Sequence, residues 1–452
     1  MKSVRGVPQL AALQLTPAVA VLMEAVLREA ERRDLAVYLV GGPVRDLLLR
    51  QPLRDVDLIV EGDAEALARA AAPAGAAVVS HDRFGTVRLQ SADAALDLAG
   101  ARRERNPRPG ALPIVEPGTV EEDLRRRDFT VNAMALPLTR AAARGAGAQG
   151  SAGASPLLEP EGARADLEAR VLRIFHAHSF HDDPTRALRA ARLAARLGFR
   201  LSRGSRSALR DALRDGAFGA VSGERLRREI EKLFADATLR LDPSAALRLL
   251  AEWHVLGALE PGLTLERAAA GPLRRLGRAI ATPPWPAGSL KLRPWATGLA
   301  VWLAELDATL RRRTLRRLAV RGEAAERIEG FPRRRDRWLR AIERSRGRGA
   351  VDALLGAIDE ESLLALWCYA PPAGRRRIAR WALEDRPRRL PLSGSDLTAL
   401  GLAGPAVGSA LARLRAAFLD GAVRDREAAL ALARELAARA ATAPPRAARK
   451  PD

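Results

Sequence analysis

The sequence predicts an α+β head followed by a long all-helical remainder, on three observations. Between about Asp34 and Leu138 short β-rich runs alternate with helical stretches, whereas almost everything after Leu167 has helical periodicity. Only 4% of the 452 residues are aromatic, and alanine is abundant, a composition suited to helices packed through thin cores. The segment Ala141–Ser155 is low in complexity and separates the two regions as a flexible insertion.

In chain order, Thr16-Pro17 reads as an N-cap and first-turn proline opening an amphipathic helix through Arg33. Strands are expected at Ala36–Val40, Val56–Val60, Ala76–Val79, Thr86–Gln90 and Leu96–Leu98. The expected division is a head over 1–160, a helical neck over 161–250, a helical body over 251–390, a helical tail over 391–441 and a disordered end over 442–452. Pro283–Trp295 marks a junction within the helical part.

The charge balance narrows the partners. With 75 Lys+Arg against 54 Asp+Glu the chain carries +21, which favours a polyanion, either nucleic acid or an acidic membrane surface. Arginine bias from a GC-rich genome is the competing explanation. The single cysteine, Cys368, excludes an internal disulfide and points to a reducing, cytoplasmic compartment. No apolar run reaches the ~20 residues of a membrane span. Leu10–Met23, the nearest to a signal segment, is broken by Gln14, Thr16 and Pro17.

Three motifs carry chemistry. In the first, Gly41-Gly42-Pro43-Val44-Arg45-Asp46 follows an apolar strand, and Asp55-Val56-Asp57 opens the next one. Glycines there let backbone approach a phosphate, with Gly42 and Arg45 as candidate nucleotide contacts. Asp55 and Asp57, two apart on a strand, project from one face and suit a divalent metal pair. This order of glycine turn, helix and Asp-x-Asp strand is the arrangement of polymerase-β-type nucleotidyltransferases. Asp97, in the later strand, is either a third carboxylate at the metals or a plain exposed strand residue.

The second motif is Arg125-Arg126-Arg127-Asp128, running into apolar Phe129–Leu136. Arginines such as Arg127 can clamp a triphosphate while the Asp128 carboxylate accepts from a ribose hydroxyl. The third, His181-Asp182-Asp183-Pro184-Thr185-Arg186, opens a helix capped by an aspartate, with Pro184 in its first turn, and sets Asp183, Arg186, Arg189 and Arg192 on one slowly drifting face. A carboxylate accepts from an exocyclic amine and a guanidinium donates to the adjacent ring nitrogen. Such a pair accepts cytosine and adenine and rejects uracil and guanine, whose polarity is reversed.

Together these motifs resemble the class II tRNA nucleotidyltransferase and bacterial poly(A) polymerase family. The resemblance implies a polymerase-β-type head, then a helical neck, body and tail. It assigns nucleotide selection to Asp183 and Arg186, with Asp182 standing where the family more often has Glu. Asp166-Leu167 with Arg170 and Arg173 resembles the family's linking motif, Ser222–Ile230 its template-supporting helix, and Arg102–Pro113 its flexible loop. Leu392–Leu397 and Gly404–Gly408 resemble its tRNA-holding C-terminal helices. The implied activity is addition of C and/or A from CTP and ATP to the 3′ end of tRNA, with Mg²⁺ on Asp55 and Asp57 and release of pyrophosphate. Poly(A) synthesis on the same scaffold is one alternative, and a non-catalytic RNA-binding protein is another; the intact Asp55/Asp57 pair speaks against the latter.

Overall fold

The computed structural model describes residues 15–53, 55–81, 85–105, 114–138, 157–285 and 292–442. The expected insertion at 141–155, positions 106–113 of the expected flexible loop and the end of the chain from 443 lie outside the described residues. The chain divides into two compact units, Met1–Ser222 with Glu252–Leu259, and Gly223–Ala251 with Glu260–Asp452. The first unit therefore takes in the expected head and the larger part of the segment expected as a separate neck.

The first unit is built on six strands, β1 (Val37–Val40), β2 (Asp57–Val60), β3 (Ala77–His81), β4 (Thr86–Gln90), β5 (Ala95–Gly100) and β8 (Ala135–Leu138), in the order β3-β4-β5-β2-β1-β8. A hairpin of β6 (Arg102–Arg105) and β7 (Ile114–Pro117) lies between β5 and β8 in sequence. Only β2 and β5 run parallel in the sheet; the other neighbours are antiparallel. The five expected strands form, Thr86–Gln90 with the expected ends and the other four with ends shifted by at most two residues. Asp55 accordingly precedes β2 instead of lying on it, because the ladder begins at Asp57. The unexpected strand β8 contains Pro137, which a central strand would exclude; β8 is the outermost strand of the sheet, where one missing donor is tolerated.

Both faces of the sheet are covered, which is why β1 and β2 read as nearly continuous apolar runs. Helix α1 (Pro17–Arg32), capped by Thr16 Oγ1 accepting from Val19 N at 3.4 Å, packs with α3 (Ala64–Ala71) over β5. On the other face Val40, Ile59, Ala101 and Ala135 pack with Val120 and Leu124 of α4 (Val120–Arg125). Between β1 and β2 lies the short α2 (Gly42–Leu48).

Beyond β8 the unit continues through α5 (Ala163–Glu168), α6 (Ser179–Asp182), α7 (Thr185–Leu197) and α8 (Arg203–Arg214). Buried Asp166 fastens this part to the sheet layer. It accepts from Thr130 Oγ1 at 2.8 Å and pairs with Arg173 Nη2 at 2.8 Å. In the second unit, helix Pro294–Leu303 is buried from Ala296 to its end, and Gly298 lets it pass Phe234: a Cβ there would lie 2.1 Å from the ring. Farther along, Leu392, Leu397, Leu414 and Leu436 belong to a separate apolar core of the last helices. No helix among the described residues is long and apolar enough to cross a membrane.

Asp166→Ala should strand the Thr130 hydroxyl and release Arg173, costing about 2–4 kcal/mol. Denaturant unfolding checks this, and a loss below ~0.5 kcal/mol would show that the tie contributes nothing.

Candidate active site

Strand alternation decides which carboxylates meet. Asp57 points to the same face as Ile59, and Asp97 to the same face as Ala99 and Ala101. The parallel register sets Asp57 directly opposite Asp97. Burial pushes the Asp57 carboxyl up to about 6, and the negative charges of Asp55 and Asp97 push the same way. Arg88, across the antiparallel ladder, reaches Asp97 Oδ1 at 3.6 Å. A buried carboxylate raised by two neighbouring carboxylates suits a bound cation, which would reverse the shift. Among the described residues, no group of three or more His, Cys, Asp or Glu is gathered so as to hold a metal by itself. A hard cation such as Mg²⁺ needs only one or two carboxylates when substrate phosphates supply other ligands, so the donor set fits.

The glycine turn is shaped by its neighbours. Gly41 has φ +75, its N–H donates to Met134 O at 2.9 Å, and a Cβ there would lie 2.5 Å from Arg127 Nη1. Glycine meets both the conformation and the close approach. Fully buried Asp123 orients the arginine run: its Oδ1 accepts from Arg126 Nε at 2.9 Å, and its Oδ2 from Arg127 Nη2 at 3.0 Å. Arg126 Nη1 also donates to Glu104 Oε1 at 2.9 Å.

Arg45, placed by sequence at the phosphates, is buried and committed to protein. It donates to Asp46 Oδ1 from Nε at 2.8 Å and from Nη2 at 2.6 Å, and to Asn132 Oδ1 from Nη1 at 2.5 Å. Desolvation holds its guanidinium below the usual arginine range. Asp46 Oδ2 in turn accepts from Arg196 of α7 at 2.7 Å. Asp128 accepts from Asn132 Nδ2 at 3.0 Å and from Phe129 N at 2.9 Å, and its other oxygen accepts from Arg189 Nε at 3.1 Å.

Asp183 and Arg186 meet in a cleft of about 370 Å³ also lined by Gly42, Arg45, Arg126, Arg127, Asp128 and Arg189. Asp183 Oδ1 accepts from Thr185 N at 3.1 Å and Thr185 Oγ1 at 2.6 Å; its Oδ2 accepts from Arg189 Nη2 at 3.0 Å. Arg186 donates from Nη1 to Ser179 Oγ, and from Nη2 to Arg126 O at 3.2 Å. Burial lowers its pKa, and its Nε has no acceptor among the described residues. A second cleft, of about 150 Å³, holds Asp57, Asp97 and Thr86, and Arg126 and Arg127 line both.

Most sequence-derived candidates thus gather in one place. Asp55 is exposed at the mouth of β2, and half-buried Arg192 is not among the residues lining the nucleotide-sized cleft. Asp46, Asp123, Asn132, Ser179, Thr185 and Arg196 were not singled out from sequence. Asp123 alone carried a local signal, since a carboxylate three and four residues before two arginines on a helix faces both.

Comparison with known proteins follows the same lines. Residues 37–173 match the family described as the poly A polymerase head domain. The chain is 34% identical over 406 residues to the CC-adding tRNA nucleotidyltransferase of Deinococcus radiodurans, covering 88% of this chain and 90% of that protein. It is 36% identical over 251 residues to the A-adding tRNA nucleotidyltransferase of Halalkalibacterium halodurans, covering 55% of each. A solved CCA-adding enzyme in complex with CTP superposes with a TM-score of 0.66 at 27% identity, over 94% of this chain and 97% of that one.

Gly41→Ala should cost about 1–2 kcal/mol for the positive φ, while the flexible end of Arg127 swings aside. Nucleoside triphosphate affinity, measured by isothermal titration, should fall at least threefold; wild-type affinity would show that Arg127 need not lie against this turn.

Proposed function

We propose, because this chain belongs to the tRNA nucleotidyltransferase family with a poly A polymerase head domain, that it adds C and/or A from CTP and ATP to the 3′ end of tRNA without a nucleic-acid template. The observation that carries the reading is that Arg126 and Arg127 line both clefts, so a triphosphate along them joins a base at Asp183 and Arg186 to a reacting phosphate at Asp57.

Asp183 accepts from the exocyclic amine of C or A, and Arg186 donates to the neighbouring ring nitrogen. Arg126 and Arg127, aligned by Asp123, neutralise the triphosphate. Asp128 faces the ribose, with Arg45 and Asn132 keeping it in place. Asp55 and Asp57 would hold divalent cations, taken here as Mg²⁺, with Asp97 beside them; when bound, these activate the 3′ hydroxyl and stabilise the departing pyrophosphate. The hydroxyl oxygen forms its bond to the α-phosphorus as the bond to the β-phosphate bridge breaks, and the hydroxyl proton passes to solvent. The protein's share is positioning and electrostatics, with no covalent intermediate. The reducing environment inferred from the single cysteine, Cys368, is consistent with work in the cytoplasm.

Transcripts of one tRNA lacking the last one, two or three nucleotides of its CCA end, incubated with each triphosphate in turn, test the activity. Extension by C, A or both is expected, with UTP and GTP at least tenfold poorer. Open-ended A addition to unrelated RNA, with none on tRNA, would replace this reading with poly(A) synthesis. Asp55→Ala and Asp57→Ala should each lower turnover at least 10³-fold at saturating Mg²⁺ while leaving tRNA affinity within about threefold. More than a few per cent of wild-type turnover in both variants would defeat the metal assignment.

A further inference from the structure

The paired base-reading groups are held from behind by a residue that touches both. Ser179 is fully buried at the start of α6. Its carbonyl oxygen accepts from the Asp183 backbone N–H at 3.2 Å, and its hydroxyl oxygen accepts from Arg186 Nη1. The Ser179 N–H donates to His176 O at 3.1 Å, so the serine backbone is itself anchored. We infer that Ser179 is a positioning residue for nucleotide selection: one buried serine sets where Arg186 presents its remaining donors relative to Asp183.

Arginine is a long side chain, and the carboxylates whose charge reaches Arg186 include Asp183, Asp128 and Asp182. Without a neutral acceptor at Nη1, the guanidinium is drawn toward those carboxylates, and a donor paired with an acidic side chain cannot read a ring nitrogen. The hydroxyl of Ser179 and the carbonyl of Arg126 each take one hydrogen bond, which steers the guanidinium without adding charge. That division leaves the second hydrogens of both terminal nitrogens over, while Nε, which has no acceptor among the described residues, is itself buried. Asp183 is steadied independently, by Thr185 and Arg189. The serine therefore acts on Arg186 through its side chain and on Asp183 only through its backbone. An alanine at 179 removes the first action and keeps the second.

The inference rests on the reading that Arg186 recognises the base, and the experiment separates the two. The kcat and KM for CTP, ATP, UTP and GTP would be measured with tRNA for the wild type, Ser179→Ala, Arg186→Ala and the double variant, with thermal unfolding of each. Ser179→Ala is expected to lower kcat/KM for CTP and ATP about tenfold, mainly through KM, and to change UTP and GTP little, the loss of one hydrogen bond to a charged donor. Discrimination should fall by the same factor at a near wild-type Tm. In the Arg186→Ala background the same serine change should leave the nucleotide ratios unaltered, because its target is gone. Wild-type ratios in Ser179→Ala, an equal further loss in the double variant, or a uniform fall for all four nucleotides with a lowered Tm would each overturn the positioning role. Unchanged ratios in Arg186→Ala would instead remove the base-reading assignment on which this inference stands.

Discussion

Arg189 joins two carboxylates that the sequence keeps apart, Asp128 after the arginine run and Asp183 before α7, and the nucleotide-sized cleft depends on that bond. Neither carboxylate is fully exposed, and each already accepts from a neighbouring backbone N–H. One guanidinium satisfies both, so the Asp128 side and the Asp183 side of the cleft share a common brace. Farther along α7, Arg196 reaches Asp46 beside the glycine turn, giving the helix a second charged attachment to the sheet layer. Breaking a half-buried pair of this kind leaves the partner charge unpaired, which is why such ties hold elements in register even where their net stabilisation is small.

Two opposite electrostatic arrangements lie side by side here. At β2 and β5, like charges are brought together: burial first, and then the charges of Asp55 and Asp97, hold the Asp57 carboxyl up, a cost that a bound cation would relieve. At the arginine run, opposite charges are brought together: Asp123, wholly out of solvent, accepts from both Arg126 and Arg127. The first arrangement is poised for a positive ligand and the second for a negative one. A metal-bound triphosphate is both, and it would span the boundary that Arg126 and Arg127 share.

The +21 charge fits an RNA partner, but many arginines are already engaged within the protein. In the second unit Arg348 pairs with Asp385, Arg415 with Asp352 at 2.6 Å and Arg335 with Glu305. A formal charge counts such residues at full weight, although their fields are largely cancelled at a Debye length. Net charge alone therefore gives the sign of the partner and not the surface that meets it.

The sequence by itself determined the α+β head and the helical remainder, and it named the candidate groups of the site. Periodicity reports which face is buried, and Gly41-Gly42, Asp55-Val56-Asp57 and Arg126-Arg127-Asp128 are local signatures whose chemistry needs those residue types at short spacing. It did not disclose β8, whose Pro137 disguises an edge strand, or the junction that puts residues 161–222 with the sheet. Only the tertiary structure decided that Arg45 holds Asp46 and Asn132, that Asp97 faces Asp57, and that Ser179 stands behind Arg186. The Asp57–Asp97 pair depends on strand register and the Arg45–Asn132 bond on a contact between distant segments, whereas Ser179 and Arg186, seven residues apart, meet across the break between α6 and α7. Buried polar groups must find partners wherever the fold brings them, and a one-dimensional pattern carries no record of which partner that is.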